Sequence, residues 1–138
     1  MVCPYCDNTT DKVIWSNAHC RVMFIDDSPF VGWCRVVWGA HKEELTELSA
    51  VDQARFMAVT FAVEAGLLKL LQPAKINLAS LGTGLRHVHW HVVPRFPDDT
   101  HFPEPVWSMA QRAPSGRTVP PGFVAALQSH LDATAPAD

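Results

Sequence analysis

Three histidines alternate with apolar residues in the run HVHWHVVPR, where His87, His89 and His91 are separated by Val88 and Trp90. On an extended strand, residues two apart share a face at intervals of ~6.5–7 Å. The three imidazoles are therefore expected in one row, with Val88, Trp90 and Val92 turned towards the core behind it. On a helix the middle histidine would swing to the far side. Two chemistries use such a row. Imidazoles along a strand can coordinate one zinc ion. Alternatively, an imidazole nitrogen attacks phosphorus and carries a covalent phosphohistidine, while its neighbours hold the phosphate oxygens. A bland reading also exists, in which these are solvated side chains of a half-exposed strand, but three histidines in register opposite an apolar face argue against it.

A second cluster opens the sequence. In CPYC, Cys3 and Cys6 have the spacing that lets two thiolates grip one metal. A redox pair or two unrelated thiols are the rival readings. Cys20 and Cys34 fall inside apolar segments and read as small buried hydrophobes.

The elements that position these residues follow from local pattern. β-Branched and aromatic content predicts strands over Lys12–Ser16, Cys20–Ile25 and Trp33–Trp38, with DDSP and VG as turn chemistry between the last two. Phe56, Val59, Val63, Leu67 and Leu70 recur at helical spacing and predict one long helix, capped by Thr46 or Ser49 and stopped by Pro73. KINLASLG reads as a strand, LGTGLR as a glycine-bearing turn, and HVHWHVVPRF as the last strand. A proline-rich segment runs from Pro97 to Pro121, and Phe123 to Leu131 are expected to form a short helix. Strands, one long helix, then strands imply an α+β fold with a mostly antiparallel sheet. One domain is expected over residues 1–110, with residues 111–138 as a C-terminal extension.

Composition narrows the function classes. At 138 residues and 48% hydrophobic, the chain is long enough to bury a core. A net charge of -3 gives no basic footprint for duplex nucleic acid. The apolar window from Phe56 to Leu71 is broken by Glu64 and Lys69, so no membrane span is expected. The start MVCPYCDNTTD lacks the basic and apolar regions of a signal peptide, which points to a cytoplasmic location with reduced thiols.

The triad run resembles the signature of the histidine triad (HIT) family. The resemblance covers about Cys3 to Trp107, taking in CPYC, MFIDDSP, VVWGAH, the long helix and INLASLGTG in matching order. It implies an antiparallel α+β fold, a homodimer, and cleavage or transfer of nucleoside monophosphates from a leaving group at the α-phosphate. By position, His89 would be the nucleophile and His91 would bond the phosphate oxygens. Asp26 would accept from the ribose hydroxyls, and Asn77 would touch the substrate near the phosphates. Gly82 and Thr83 would face the triad with backbone N–H groups. Where many relatives carry Ser or Thr three residues before the triad, this chain has Gly84, with Thr83 adjacent. The PR after the triad resembles members acting on dinucleoside polyphosphates, and Arg95 would meet a distal phosphate or form a surface salt bridge. His101 and Trp107 would edge the site or serve only to pack the loop. Some relatives hold a structural zinc with the cysteine pair, a histidine ending the third strand and the first triad histidine, which here are Cys3, Cys6, His41 and His87.

Two readings from other classes stand beside this one. In a zinc-dependent hydrolase, His87 and His89 would hold a catalytic metal, leaving the cysteines unexplained. A nucleotide-binding regulatory module would keep the pocket without turnover.

Overall fold

The computed structural model describes residues 3–8 and 11–138. Its elements are α1 (Pro4–Asp7), β1 (Val13–Ser16), β2 (Cys20–Phe24), β3 (Cys34–Trp38), α2 (Ala50–Leu71), β4 (Lys75–Ala79), β5 (His89–Arg95) and α3 (Phe123–Thr134). The sheet has five strands in the order β1-β2-β3-β5-β4, and every neighbouring pair is antiparallel. The α+β expectation is met; β1, β2, β3 and β5 fall within two residues of the strands read from the sequence, and β4 stops at Ala79, three residues short of Gly82.

The sheet has two different faces because its side chains alternate. One carries Val22, Cys34, Val36 and Val92, all buried against Phe56, Val59, Val63 and Leu67 of α2. These helix residues follow the predicted stripe, and each such side chain contributes roughly 1.5–3 kcal/mol relative to exposure. Ser49 caps α2 by accepting from the Asp52 N–H at 3.1 Å. Gln72, in the left-handed region, ends the helix just before Pro73.

The C-terminal segment is built into the same core. Phe123, Leu127 and Leu131 of α3 are buried with the α2 stripe. The helix is tied to the first strand and its flank by Gln128 donating to the Ile14 carbonyl at 2.7 Å and Trp15 donating to Asp132 at 2.9 Å. Gly66 makes the α2–α3 approach close, since a Cβ there would lie 2.8 Å from both His130 Cδ2 and Leu127 Cδ1.

The opposite face carries the histidines over a smaller core of Cys3, Tyr5, Met23, Ile25, Phe30, Trp33, Val37 and Val93. Pairing across β2, β3 and β5 lines up Arg21, Val37 and His89 in one row. The next row is Met23, Arg35, His91 and Ala79.

Candidate active site and metal centre

His89 and His91 lie on β5, but the strand begins at His89, so His87 precedes it rather than sharing it. Between His87 and His89, the Val88 carbonyl still accepts from the Trp38 N–H at the end of β3 at 3.3 Å, while its N–H donates to the Lys42 carbonyl beyond that strand at 2.8 Å. The imidazoles are not a solvated row. His87, His89 and His91 are all buried, because Tyr5 from the N-terminal arm and Trp33 and Trp107 cover them. The Tyr5 ring stands edge-on 5.2 Å from His89 and 5.7 Å from His87. Trp107, itself half exposed, packs 5.1 Å from His91.

Each histidine has a defined polarity. Nε2–H of His87 donates to the Trp38 carbonyl at 2.6 Å, which leaves its Nδ1 as a lone pair. Nδ1–H of His89 donates to the His87 carbonyl at 2.6 Å, which leaves Nε2 as a lone pair. Nδ1 of His91 accepts from the indole N–H of Trp33 at 3.3 Å, and an indole can only donate. A neutral His91 therefore carries its proton on Nε2. Burial lowers the pKa of all three, His91 to about 3, with the charges of His89 and Arg35 adding to the effect there. The site thus pairs a nitrogen base at His89 with an N–H donor at His91.

Beside this pair lies a four-ligand cluster. Cys3, Cys6, His41 and His87 present ligand atoms that all lie within 4.8 Å of one another. His87 Nδ1 is 3.5 Å from both Cys3 Sγ and Cys6 Sγ, and His41 Nδ1 is 3.5 Å from Cys6 Sγ. A tetrahedral zinc with ordinary Zn–S and Zn–N bonds sets sulfur–nitrogen edges of roughly 3.6 Å, so the donor set fits. The Trp38 carbonyl orients His87 as an outer partner of a ligating histidine does. Cys20 and Cys34 stand apart in the core, where burial pushes both thiols up to about 12.

The remaining candidates are more scattered. Asp26 is exposed, 3.4 Å from Lys12 Nζ, and no contact joins it to the triad among the described residues. Gly82 and Thr83 lie in the loop before β5. Gly82 has φ 122, and a Cβ there would come 3.0 Å from the Leu85 carbonyl. Arg95 is not on the surface, and each of its three guanidinium nitrogens has a partner. It donates to Asp99 at 2.8 and 3.0 Å and to Asn77 Oδ1 at 2.9 Å. The expected surface salt bridge is therefore a buried one. Asn77 accepts through its oxygen, which leaves its amide hydrogens facing away from Arg95. His101 packs on Phe30 with ring centroids 5.0 Å apart, away from the histidine pair.

Three residues of this face escaped the sequence reading. Tyr5 sits between the two cysteines and gave no signal of its own. Trp33 read as ordinary strand filling. Arg35 did leave a trace, as a lone charge in the otherwise apolar run WCRVVW.

A family model described as HIT domain matches residues 7–98, a span that holds the three histidines but begins after Cys6. A histidine triad protein from Sinorhizobium meliloti is 30% identical with a TM-score of 0.72, over 86% of this chain and 88% of that one. One from Bradyrhizobium japonicum is 24% identical with a TM-score of 0.71, over 93% and 94%. A zinc-bound histidine triad family protein from Mycobacterium smegmatis is 19% identical with a TM-score of 0.64, over 96% and 95%. No curated protein matches the chain. Among the described residues, no helix is long and apolar enough to cross a membrane.

Proposed function

The chain belongs to the HIT domain family, and from that premise we propose that it cleaves or transfers a nucleoside monophosphate from an anionic leaving group at the α-phosphate. The observation that carries this reading is the complementary polarity of His89 and His91. Nε2 of His89 attacks phosphorus, and the phosphorus–oxygen bond to the leaving group breaks with its electron pair. Water then attacks the phosphohistidine, the N–P bond breaks, the pair returns to Nε2, and one water proton is released to solvent. In transfer, another acceptor takes the place of water. Nε2–H of His91 donates to a non-bridging oxygen throughout. Gly84 brings no hydroxyl to the departing oxygen, and Ser80 is occupied with the His89 carbonyl. A leaving group stable as an anion, such as a phosphate chain, fits this better than an amine.

Asp26 accepts from the ribose, the Asn77 amide donates near the phosphates, and the backbone of Gly82 and Thr83 lines their approach. Arg95 serves by fixing Asn77 rather than by reaching a distal phosphate. Cys3, Cys6, His41 and His87 hold a structural zinc, for which the 3.5 Å sulfur–nitrogen spacings are the support. Four protein ligands leave no open position for water, so such a metal fixes the arm and activates nothing.

A homodimer is part of the same reading. Val51, Phe61 and Leu68 form an exposed apolar stripe along α2, and β4 is an edge strand with an open side. A second copy covers both features.

The test is direct. The protein is mixed with a slowly cleaved adenylyl conjugate, quenched, and weighed intact by mass spectrometry. An adduct of one nucleoside monophosphate mapping to His89 is expected. Turnover with the adduct on another residue, or with none at any time point, would remove the proposed chemistry.

A further inference from the structure

The chemistry proposed above leaves a charge unanswered. A phosphoryl group under attack carries negative charge on its equatorial oxygens, and enzymes meet such charge with fixed cations and donors. The two facing imidazoles bring none. His91 accepts through Nδ1 from Trp33 and is neutral in this arrangement, and the attacking nitrogen of His89 must be a lone pair.

Three arginines occupy this face. Arg95 is neutralised by Asp99, and each of its nitrogens already donates to Asp99 or Asn77. Arg21 is buried beneath the arm, donating to the Tyr5 carbonyl. Arg35 is different. It is paired directly across the ladder from His91, where side chains on one face lie close enough to meet. Its Nη1 donates to the Tyr5 hydroxyl at 3.0 Å, and its Cζ lies 5.7 Å from the Trp33 ring. Its Nε is buried with no partner, as is that of Arg21, so the contrast with Arg21 lies in the pairing with His91 and the partial exposure of Arg35. No carboxylate lies within salt-bridge range of it among the described residues. Asp27 shares a cavity with it but is tied to Lys12 at 3.0 Å.

Inside the protein that placement is answered by the Tyr5 hydroxyl and the Trp33 ring, but by no counter-charge. A guanidinium drawn partly out of water without a counter-charge is unfavourable, and a valine or leucine would suit a strand interior at this position. The group also sits at an opening. A cavity of about 270 Å³ is bounded by Arg35, Tyr5, Lys12, Leu85 and the carboxylates of Asp11 and Asp27, among others; the triad histidines are not in its lining, and Tyr5 is the wall between. The same Tyr5 whose hydroxyl holds Arg35 has its ring against His89, so guanidinium and nucleophile share one neighbour.

We propose that Arg35 is a phosphate-contacting catalytic residue, donating from its guanidinium to non-bridging oxygens of the phosphoryl group held between His89 and His91. The proposal rests on the function proposed above and adds to it the cation that the histidines lack. Arg35 keeps its proton throughout. As the Nε2–P bond forms and the leaving group departs with its electron pair, it supplies charge and N–H donors only. Its field already reaches both imidazoles, where it disfavours their protonation. Tyr5 aims the guanidinium by occupying one end of the fork, and is a positioning residue.

The experiment compares wild type with Arg35→Gln, Arg35→Lys and Arg35→Met as purified, metal-loaded protein. Binding of AMP and of adenosine is measured by calorimetry, and turnover of a dinucleoside polyphosphate is followed in parallel. Arg35→Gln is expected to weaken AMP about 10- to 100-fold, with adenosine held within about 3-fold of wild type. It should lower kcat by about 100-fold or more, as loss of a transition-state donor does. Arg35→Lys should recover part of both losses because it restores the charge without the fork. Arg35→Met keeps the aliphatic reach and replaces Arg35→Gln if the latter misfolds. Equal losses for AMP and adenosine would overturn the proposal, since Arg35 would then serve the heterocycle or the fold. Unchanged AMP affinity would overturn it as well. If wild type cleaves no conjugate, yet Arg35→Gln still erases its preference for AMP over adenosine, Arg35 stands as a phosphate ligand and the proposed reaction falls.

Discussion

The Nδ1 atom of His89 lies 2.6 Å from the carbonyl oxygen of His87. The residue whose side chain faces the two cysteines thus also sets, through its backbone, which nitrogen of the next histidine is free. A carbonyl survives any side-chain change, so substitutions at these two positions separate the candidate metal cluster from the proposed attacking nitrogen.

Replacing His89 by glycine should lower turnover by at least about 1,000-fold while leaving AMP affinity nearly intact, because a covalent nucleophile contributes in the transition state. His87→Ala should lose metal and melt at lower temperature, yet still form the adduct in a rapid-quench measurement. An active His89→Gly variant would show that another group attacks phosphorus.

Protein prepared without chelators should carry about one zinc per chain, as a single four-ligand site requires. Cys6→Ser should lower metal content and Tm. Amide exchange should rise over residues 3–8, because α1 has one turn and no stability of its own. Metal affinity should weaken as pH falls and the ligands protonate. Elemental analysis that finds no metal would refute the site.

Asp99 is buried and accepts from Arg95 and from the N–H groups of Phe96, His101 and Phe102. Burial raises its pKa, but these bonds outweigh burial and hold it below the ordinary value. A carboxyl lowered in the folded state stabilises fully above the unfolded value, about 3.9, and that stability is lost as pH falls through the folded value. Asp99→Asn should therefore cost about 3–5 kcal/mol at pH 7, since it leaves Arg95 buried and unpaired. In urea titrations the gap from wild type should narrow as pH falls below the ordinary carboxyl value and the Asp99 carboxylate takes up its proton. A gap independent of pH would show that the ion pair is not its source.

Gly66→Ala should destabilise the protein even though alanine favours a helix by up to ~1 kcal/mol. The new methyl would meet Leu127, which is fully buried, and His130, whose Nε2 is held by the Ala62 carbonyl at 3.0 Å. Neither can retreat freely, and overpacking of this kind costs about 1–3 kcal/mol. A higher Tm would mean that α3 shifts to make room.

Phe61→Glu on the exposed stripe of α2 should convert a dimer to a monomer with little change in monomer fold, read by light scattering across concentration. A wild-type protein that is monomeric at all concentrations would contradict the proposed assembly.

Much of this arrangement was written in local pattern. The alternation of His87, His89 and His91 with apolar residues and the stripe of α2 both reflect a single element's period, which a sequence displays. Arg35 against His91 and Tyr5 over His89 depend on strand register and on where a short arm lands, and neither leaves a periodic mark. Arg95 misled for a related reason. Its partner Asp99 lies four residues on, beyond the strand end, where an i,i+4 pair has no helix to announce it. The alternation alone extends the strand to His87, whereas β5 begins at His89 and the His87 carbonyl accepts from the His89 ring.

The burial of Leu127 and Leu131 beneath α2 also orders events during synthesis. A nascent chain that has emerged as far as Arg117 already contains every strand and all of the candidate site residues. Its core still lacks one wall, and the α2 surface that α3 will cover faces solvent. The sheet can pair early, but the stable domain closes only when the twelve residues of α3 are free to dock.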